Sequence, residues 1–457
     1  MKLKFLGASG TVTGSCYFLS SDNTGVMVDC GMFQGIKEVD ELNSKKPAID
    51  FGKLDAIVLT HAHLDHCGRL PLLLKYGFKG VVYMNEPTKA LAEIVLLDSA
   101  KIAREDSTET LYEEDEVFAF LKKVVLVDYH KPFNIGDFEV VMYDAGHILG
   151  STSLLFKETK TGKKVLFSGD LGNTPEPLLM PTEIVDEADA VVMESTYGDE
   201  KHPVGEEKDV FAEIVAEAEH VGGVVLIPSF SIQRAQELLY LFDGLKKDGK
   251  VGQETVVFLD SPMALKTTEI YKDYPGLYSQ QLRNQAKTDD PFDFPGLVLC
   301  DSVEKSKQIK NYPGAKVIIA GSGMMTGGRI LHHAINYLAD PKNTLVFVGF
   351  QAEGTLGREI RSGKSEVSIW GNTVEIRAEI REIKTMSSHA DQDQLWSWFS
   401  KIKGVKKVFL THGEDMARLV FKEIIKNRSE LTLDVEMTCC SFEKGVELFA
   451  VMLEFEN

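Results

Sequence analysis

The segment Ala56-Ile57-Val58-Leu59-Thr60-His61-Ala62-His63-Leu64-Asp65-His66 decides how this chain reads. Its first half is an apolar run that stops abruptly at polar residues, as a buried strand does. Its second half places three imidazoles and one carboxylate within six residues, donors suited to zinc or a similar first-row ion. In a turn, His61 and His63 can point one way while Asp65 and His66 point another, so one loop can serve two adjacent metals. One metal needs about four ligands. The loop alone cannot fill two shells, and the rest must come from other strand ends. Three candidates stand there: His147 in D-A-G-H-I-L-G-S, Asp170 in F-S-G-D-L-G and His412 in F-L-T-H-G-E. Loops at strand ends converge on one edge of a sheet, where clefts form. Asp29 (V-D-C-G) also ends a buried-looking strand, where it can accept a hydrogen bond from a ligand imidazole or a loop amide. Glu194 (M-E-S-T-Y-G) is placed similarly.

Outward from this segment, the first 200 residues read as short strands joined by loops: Val26–Asp29, Ala56–Thr60, Val140–Asp144, Lys164–Ser168 and Ala188–Glu194. Residues 87–115 read as helical, the acidic stretch 105–116 being a solvated face and connection. From about residue 201 strands alternate with helices: Val224–Pro228, Val256–Asp260, Lys316–Ala320 and Thr344–Val348, with a helix over Ile232–Asp243. That alternation predicts a parallel sheet flanked by helices. Beyond residue 371 the strand-rich style returns, with Val374–Ile380, Val408–Leu410 and a last strand near Leu448–Phe455. The expected division is 1–200 and 372–457 as two parts of one domain, interrupted by a second domain at 201–371.

The 457 residues, 44% hydrophobic and 26% charged, have ordinary globular composition. No run of 18 apolar residues predicts a membrane span, and the N-terminus lacks the apolar stretch of a signal peptide. Six cysteines without a C-x-x-C do not form a disulfide framework, and the adjacent Cys439 and Cys440 read as strand residues facing opposite ways. A reducing cytoplasm is the expected compartment. The net charge of −19 speaks against a broad footprint for nucleic acid, so an anionic substrate needs a local positive focus.

The order Asp29, His61-x-His63-x-Asp65-His66, His147, Asp170 resembles the metallo-β-lactamase fold. Glu194, His389 (in S-S-H-A-D, with Ser388) and His412 resemble the β-CASP nucleases, RNA-processing enzymes of bacteria and archaea and the polyadenylation endonuclease subunit. The resemblance spans essentially the whole chain. It implies an α/β protein: a four-layer αββα metallo-β-lactamase fold with an inserted α/β domain whose sheet is mainly parallel. It implies two zinc ions, one held by His61, His63, His147 and Asp170, the other by Asp65, His66, Asp170 and His412, with Asp170 bridging. Asp29 and Glu194 then support the ligands, Glu194 by orienting a ligand histidine. His389 faces the scissile phosphate, to donate to a non-bridging oxygen or protonate the leaving oxygen, and Asp65 shares the handling of protons. The two metals are the positive focus that the composition lacks.

Three segments of the inserted domain look phosphate-directed. Phe230 and Ser231 precede a helix carrying Arg234, and the ring can stack on a base. Ser322, Gly323 and Met324 follow a strand, and amides there can cradle an anion. Arg358 follows glycines and suits a bidentate phosphate contact. None ends in G-K-[ST], which disfavours nucleoside triphosphates. The expected activity is zinc-dependent hydrolysis of RNA phosphodiester bonds by a metal-bound hydroxide, in RNA processing or decay, with the strand lying in a strip between the domains. By the resemblance, a histidine at the last motif, here His412, goes with RNA-processing members, whereas DNA-directed members carry an aliphatic residue. A DNA nuclease and a hydrolase of thioesters or lactones are the alternatives; an insert of about 170 residues argues against the latter. A metal-free scaffold subunit would lack ligands, and all seven positions are filled. The chain starts on its first strand and ends soon after its last. It is therefore expected to lack the N-terminal RNA-binding domains of archaeal members and the C-terminal domain of the ribonuclease J type. Cleavage mode, sequence preference and homodimer formation stay open.

Overall fold

The computed structural model describes all residues except 36–40, 106–109, 204, 206, 430–432, 439–452 and 455–457. The chain forms two compact units, the first built from 1–201 and 389–457, the second from 202–388. Cys439 and Cys440, and most of the strand expected near 448–455, lie outside the described residues.

The first unit is a sandwich of two seven-stranded sheets. One runs β22 (Leu453–Glu454), β1 (Lys2–Phe5), β2 (Tyr17–Ser20), β3 (Gly25–Val28), β4 (Ala56–Val58), β5 (Val81–Met84) and β6 (Val124–Leu126). The other runs β21 (Asp434–Met437), β20 (Lys407–Thr411), β11 (Ala190–Glu194), β10 (Lys164–Phe167), β9 (Thr152–Glu158), β8 (Phe138–Asp144) and β7 (Phe133–Ile135). Side chains alternate in facing. Val165 and Phe167 enter the core between the sheets with Val26, Val28, Val58 and Phe156, while Leu166, Val191 and Val408 meet the helices Gln392–Phe399 and Asp415–Arg428 on the far side. Sheets inside and helices outside give the four-layer αββα arrangement. The run β3-β4-β5-β6 is parallel, as is β10-β11-β20-β21, so each sheet gathers several strand C-termini at one edge.

Residues 87–115, read as one helical stretch, contain two helices: Glu86–Glu105 and the start of Glu114–Leu121. A capping box opens the second, the Glu113 amide donating to the Glu116 carboxylate at 2.6 Å.

The second unit holds a six-stranded parallel sheet in the order β14 (Leu297–Leu299), β13 (Val256–Asp260), β15 (Lys316–Ala320), β12 (Val224–Pro228), β16 (Thr344–Phe347), β19 (Glu379–Glu382). A hairpin, β17 (Glu366–Ile369) with β18 (Asn372–Glu375), completes it. Residues 374–380, expected to open the returning part of the first domain as one strand, are divided between β18 and β19. The amides of Arg377 and Ala378 both turn to the Leu338 carbonyl (2.9 Å each), which breaks the run, and β19 then pairs with β16. The second unit therefore continues through Ser388 instead of ending at 371.

Candidate metal centre

Four of the donors follow strands that end at the same edge. His61 lies just beyond β4, Asp170 just beyond β10 and His412 just beyond β20, while His147 sits in the β8–β9 loop. His63 precedes a one-turn helix, Leu64–Cys67, which carries Asp65 and His66. The structure brings these seven side chains together as two sets. His61, His63, His147 and Asp170 form one; Asp65, His66, Asp170 and His412 form the other; within each set the donor atoms lie within 4.8 Å of one another.

The spacing of donor atoms tests whether a metal fits. A tetrahedral zinc with ligands at about 2.0–2.1 Å sets neighbouring ligand atoms about 3.3 Å apart. His63 Nδ1 stands 3.2 Å from His61 Nε2 and 3.1 Å from His147 Nε2. Asp170 Oδ2 stands 3.5 and 3.7 Å from the same two Nε2 atoms. In the other set, His412 Nε2 is 3.2 Å from Asp65 Oδ2, and His66 Nε2 is 3.3 Å from Asp170 Oδ1. Among the described residues, Asp170 Oδ1, which faces the second set, is buried without a hydrogen-bond partner. Buried orphans of this kind call for an ion or ligand. The residues fit.

Burial, with neighbouring imidazoles, holds His61 well below the ordinary histidine range, and burial pulls His63 down to about 4. Both are then neutral imidazoles with a lone pair to give. Burial opposes the charge on Asp170, but His412, His66 and His61 around it outweigh that and hold the carboxyl well below its usual range.

Two threonines, unremarked in the sequence, set the tautomers. The Thr60 hydroxyl donates to Asp29 Oδ2 (2.8 Å), so His61 Nδ1 at 3.1 Å must be the donor to Thr60, leaving Nε2 bare toward the metal set. The Thr196 hydroxyl donates to Glu194 Oε2 (2.6 Å) and receives from His412 Nδ1 (3.1 Å), which turns His412 Nε2 toward the second set, 3.2 Å from Asp65 Oδ2. Asp29 also accepts the Thr60 amide and His66 Nδ1, both at 2.8 Å. Nothing in the residue type marks a threonine for this duty; only its place next to His61, or two residues after Glu194, could have hinted at it.

Glu194 differs from its expected part. Its direct imidazole contact is His389 Nδ1 at 3.2 Å, and it reaches the donor histidine His412 only through Thr196. The same Glu194 oxygen accepts the Leu171 amide at 2.7 Å, which ties it to the loop of Asp170, while the Thr196 amide donates to the other at 3.2 Å. For His389, burial disfavours the charged ring, but Glu194 and the charges of Asp170 and Asp65 overcome this and raise it to about 8. Its ring lies 4.5 Å from that of His147.

In the second unit, Phe230 has its ring against Gly323 and Gly349: a Cβ on Gly323 would come within 2.6 Å of it, so that face is closed by backbone. Ser231 bonds Ser261 through their hydroxyls at 3.0 Å. Met324 is buried. The amides of Ser322, Met325 and Thr326 are engaged within their own loop, so the expected cradle shrinks to Gly323 and Met324. Arg358 is half-buried, Nη1 lying 3.4 Å from the Gln351 carbonyl. Arg234, expected to meet phosphate, is only 2% exposed, ion-paired with Glu237, and donates to Ser388 Oγ at 2.8 Å. A guanidinium so enclosed braces the turn before His389 instead of meeting solvent.

Family models match in chain order. The metallo-beta-lactamase superfamily model covers residues 9–216, the Beta-Casp domain 235–360, and the Zn-dependent metallo-hydrolase RNA specificity domain 373–437. The chain is similar to Ribonuclease TTHA0252 of Thermus thermophilus, 36% identical over 98% of this chain and 100% of that one. It is 31% identical to Transcription termination factor FttA of Methanocaldococcus jannaschii over 93% of this chain and 69% of that one. It is 31% identical to Cleavage and polyadenylation specificity factor 73 of Drosophila melanogaster over 92% of this chain and 61% of that one. A crystal structure of a protein of unknown function from Enterococcus faecalis V583 shares the fold alone, with a TM-score of 0.53 and 11% identity over 95% of this chain and 96% of that one. With its His/Asp metal-binding cluster, its family matches and its likeness to the whole length of the Thermus thermophilus ribonuclease, the chain belongs to the β-CASP nucleases of the metallo-β-lactamase superfamily, a group of metal-dependent hydrolases.

Proposed function

We propose that the protein is a zinc-dependent ribonuclease. The observation that carries the reading is the pair of donor sets sharing Asp170, made of five imidazoles and two carboxylates at tetrahedral spacing. His61, His63, His147 and Asp170 would hold one zinc; Asp65, His66, Asp170 and His412 the other. Zinc bound there supplies Lewis acidity toward phosphate oxygens and lowers the pKa of the attacking water. The protein's own part is positioning and proton transfer. Glu194 holds His389 Nδ1, so the opposite nitrogen of that ring can give a proton to the oxygen that leaves as the P–O bond breaks. Asp29, Thr60, Glu194 and Thr196 keep the ligand rings in the tautomers that face inward.

RNA as substrate is supported by the relatives, a ribonuclease and a cleavage and polyadenylation factor, and by the match to an RNA specificity domain. Ser231, the amides of Gly323 and Met324, Arg358 and the Phe230 ring are proposed to meet the strand. The test is zinc reconstitution followed by end-labelled RNA and DNA strands of one sequence, the RNA carrying 5′-triphosphate or 5′-monophosphate. About two zinc ions per chain and RNA-selective cleavage are expected. Zinc content at or below one, or equal cutting of DNA, would count against the reading.

A further inference from the structure

We propose that the free edge of β6 is a docking surface for a second copy of this chain, the two β6 strands pairing antiparallel about a two-fold axis at Val125. Among the described residues β6 ends its sheet and bonds only β5. The Val82 amide donates to the Lys123 carbonyl and the Val127 amide to the Met84 carbonyl, both at 3.0 Å, so the odd-numbered residues 123, 125 and 127 face β5. Successive residues of a strand send their backbone groups to opposite sides. Val124 and Leu126 therefore direct N–H and C=O outward.

Natural edge strands are blunted by shortness, charges, proline or bulges. The strand is short and Lys122-Lys123 precede it, but Val124-Val125-Leu126-Val127 itself carries no charge, proline or bulge, and Val125 (41%) and Leu126 (48%) are exposed although apolar. A second copy suits this edge because the edge complements itself. A two-fold axis perpendicular to the sheet pairs residues of like facing, so Val125 meets Val125, and Val124 meets Leu126 in both directions. Each Val124–Leu126 pair can exchange two backbone hydrogen bonds.

Charge selects this register. Lys122, in the turn before the strand, is exposed and has no ion partner among the described residues. Asp128, just past the strand, is exposed and pairs on its own chain with Lys131. In the Val125-centred register Lys122 of each copy comes opposite Asp128 of the other. Centring on Leu126 instead would bring Val124 opposite Asp128 and Lys122 opposite His130, with no ion pair.

Such a ladder is short, so a covalent trap reads it best. Val125→Cys puts two thiols at a non-hydrogen-bonded site with Cα atoms about 4.5 Å apart, within disulfide reach. Diamide takes two electrons and two protons from the thiol pair, closing the disulfide and becoming the hydrazine. On the zinc-reconstituted full-length protein, Val125→Cys should give several-fold more reducible dimer than the unsubstituted chain or Leu126→Cys. Adding Lys122→Asp should lower that yield, and Lys122→Asp with Asp128→Lys should restore it. Circular dichroism and zinc content, unchanged throughout, show that the variants fold. Dimer no greater than that of the unsubstituted chain, or Leu126→Cys cross-linking as well as Val125→Cys, overturns the proposal.

Discussion

Asp170 stands between the donor sets, Oδ2 near His61, His147 and His412 and Oδ1 near His66. Removing it strips a donor from both. Asp170→Ala should therefore abolish RNA cleavage and drop bound zinc well below the level of the parent. Among the described residues His389 joins neither four-donor set and groups with Asp170 and Glu194. His389→Ala should keep its zinc while the rate falls about 10²-fold or more. Elemental analysis beside single-turnover rates separates the two, and equal zinc loss in both variants would end the division of labour. At this scale the sequence was informative where chemistry is rare. A histidine or aspartate directly after an apolar run is an uncommon thing, and His61, His147, Asp170 and His412 stood out. Thr60 and Thr196 did not, because threonines are common at strand ends. Arg234 misled for a physical reason: a guanidinium can be buried when a carboxylate such as Glu237 stays beside it.

The ligand loop is held by close backbone packing as much as by side chains. Gly31, just past β3, lies so near the one-turn helix that a Cβ there would sit 1.5 Å from the Asp65 carbonyl oxygen and 2.6 Å from the His66 amide. The Gly31 amide meanwhile donates to the Ser15 carbonyl, and the Ser15 amide to that same Asp65 oxygen. Gly31→Ala must push Asp65 and His66 away from Asp170 although no donor is changed. Zinc affinity should fall on the order of 10-fold or more, the scale seen when a ligand's support is lost. Gly276→Ala, with open space around the new methyl, should leave it unaltered. Competition with a chromophoric chelator measures both. Among elements, buried parallel strands such as Val224–Pro228 and Val256–Asp260 were legible to the residue, since an all-apolar run bounded by polar turns admits few other readings. Elements set by hydrogen bonds from afar were not. The Leu338 carbonyl that divides 374–380 leaves no mark in that stretch.

A chain of net charge −19 that binds RNA must do so locally. Few phosphates can then be matched by Lys or Arg, and binding should weaken only gently with salt, at about −0.7 in log–log slope for each phosphate contacted on a single strand. Titrations at several salt concentrations give that slope directly. Arg358→Ala should weaken RNA binding and spare hydrolysis of a small nitrophenyl phosphodiester; equal loss on both would place Arg358 in the chemistry or the folding. The order of the chain adds a matter of timing. His61, His63, Asp65, His66, His147 and Asp170 precede the second unit, whereas His412 follows it, just beyond β20, the strand between β11 and β21. During synthesis six of the seven donors are therefore translated before the second unit, the second set lacking only His412, and the sheet beneath them stays open until β20 arrives. A growing chain beside its own messenger thus carries one whole donor set and all but one member of the other, and waits on a single histidine to close the second.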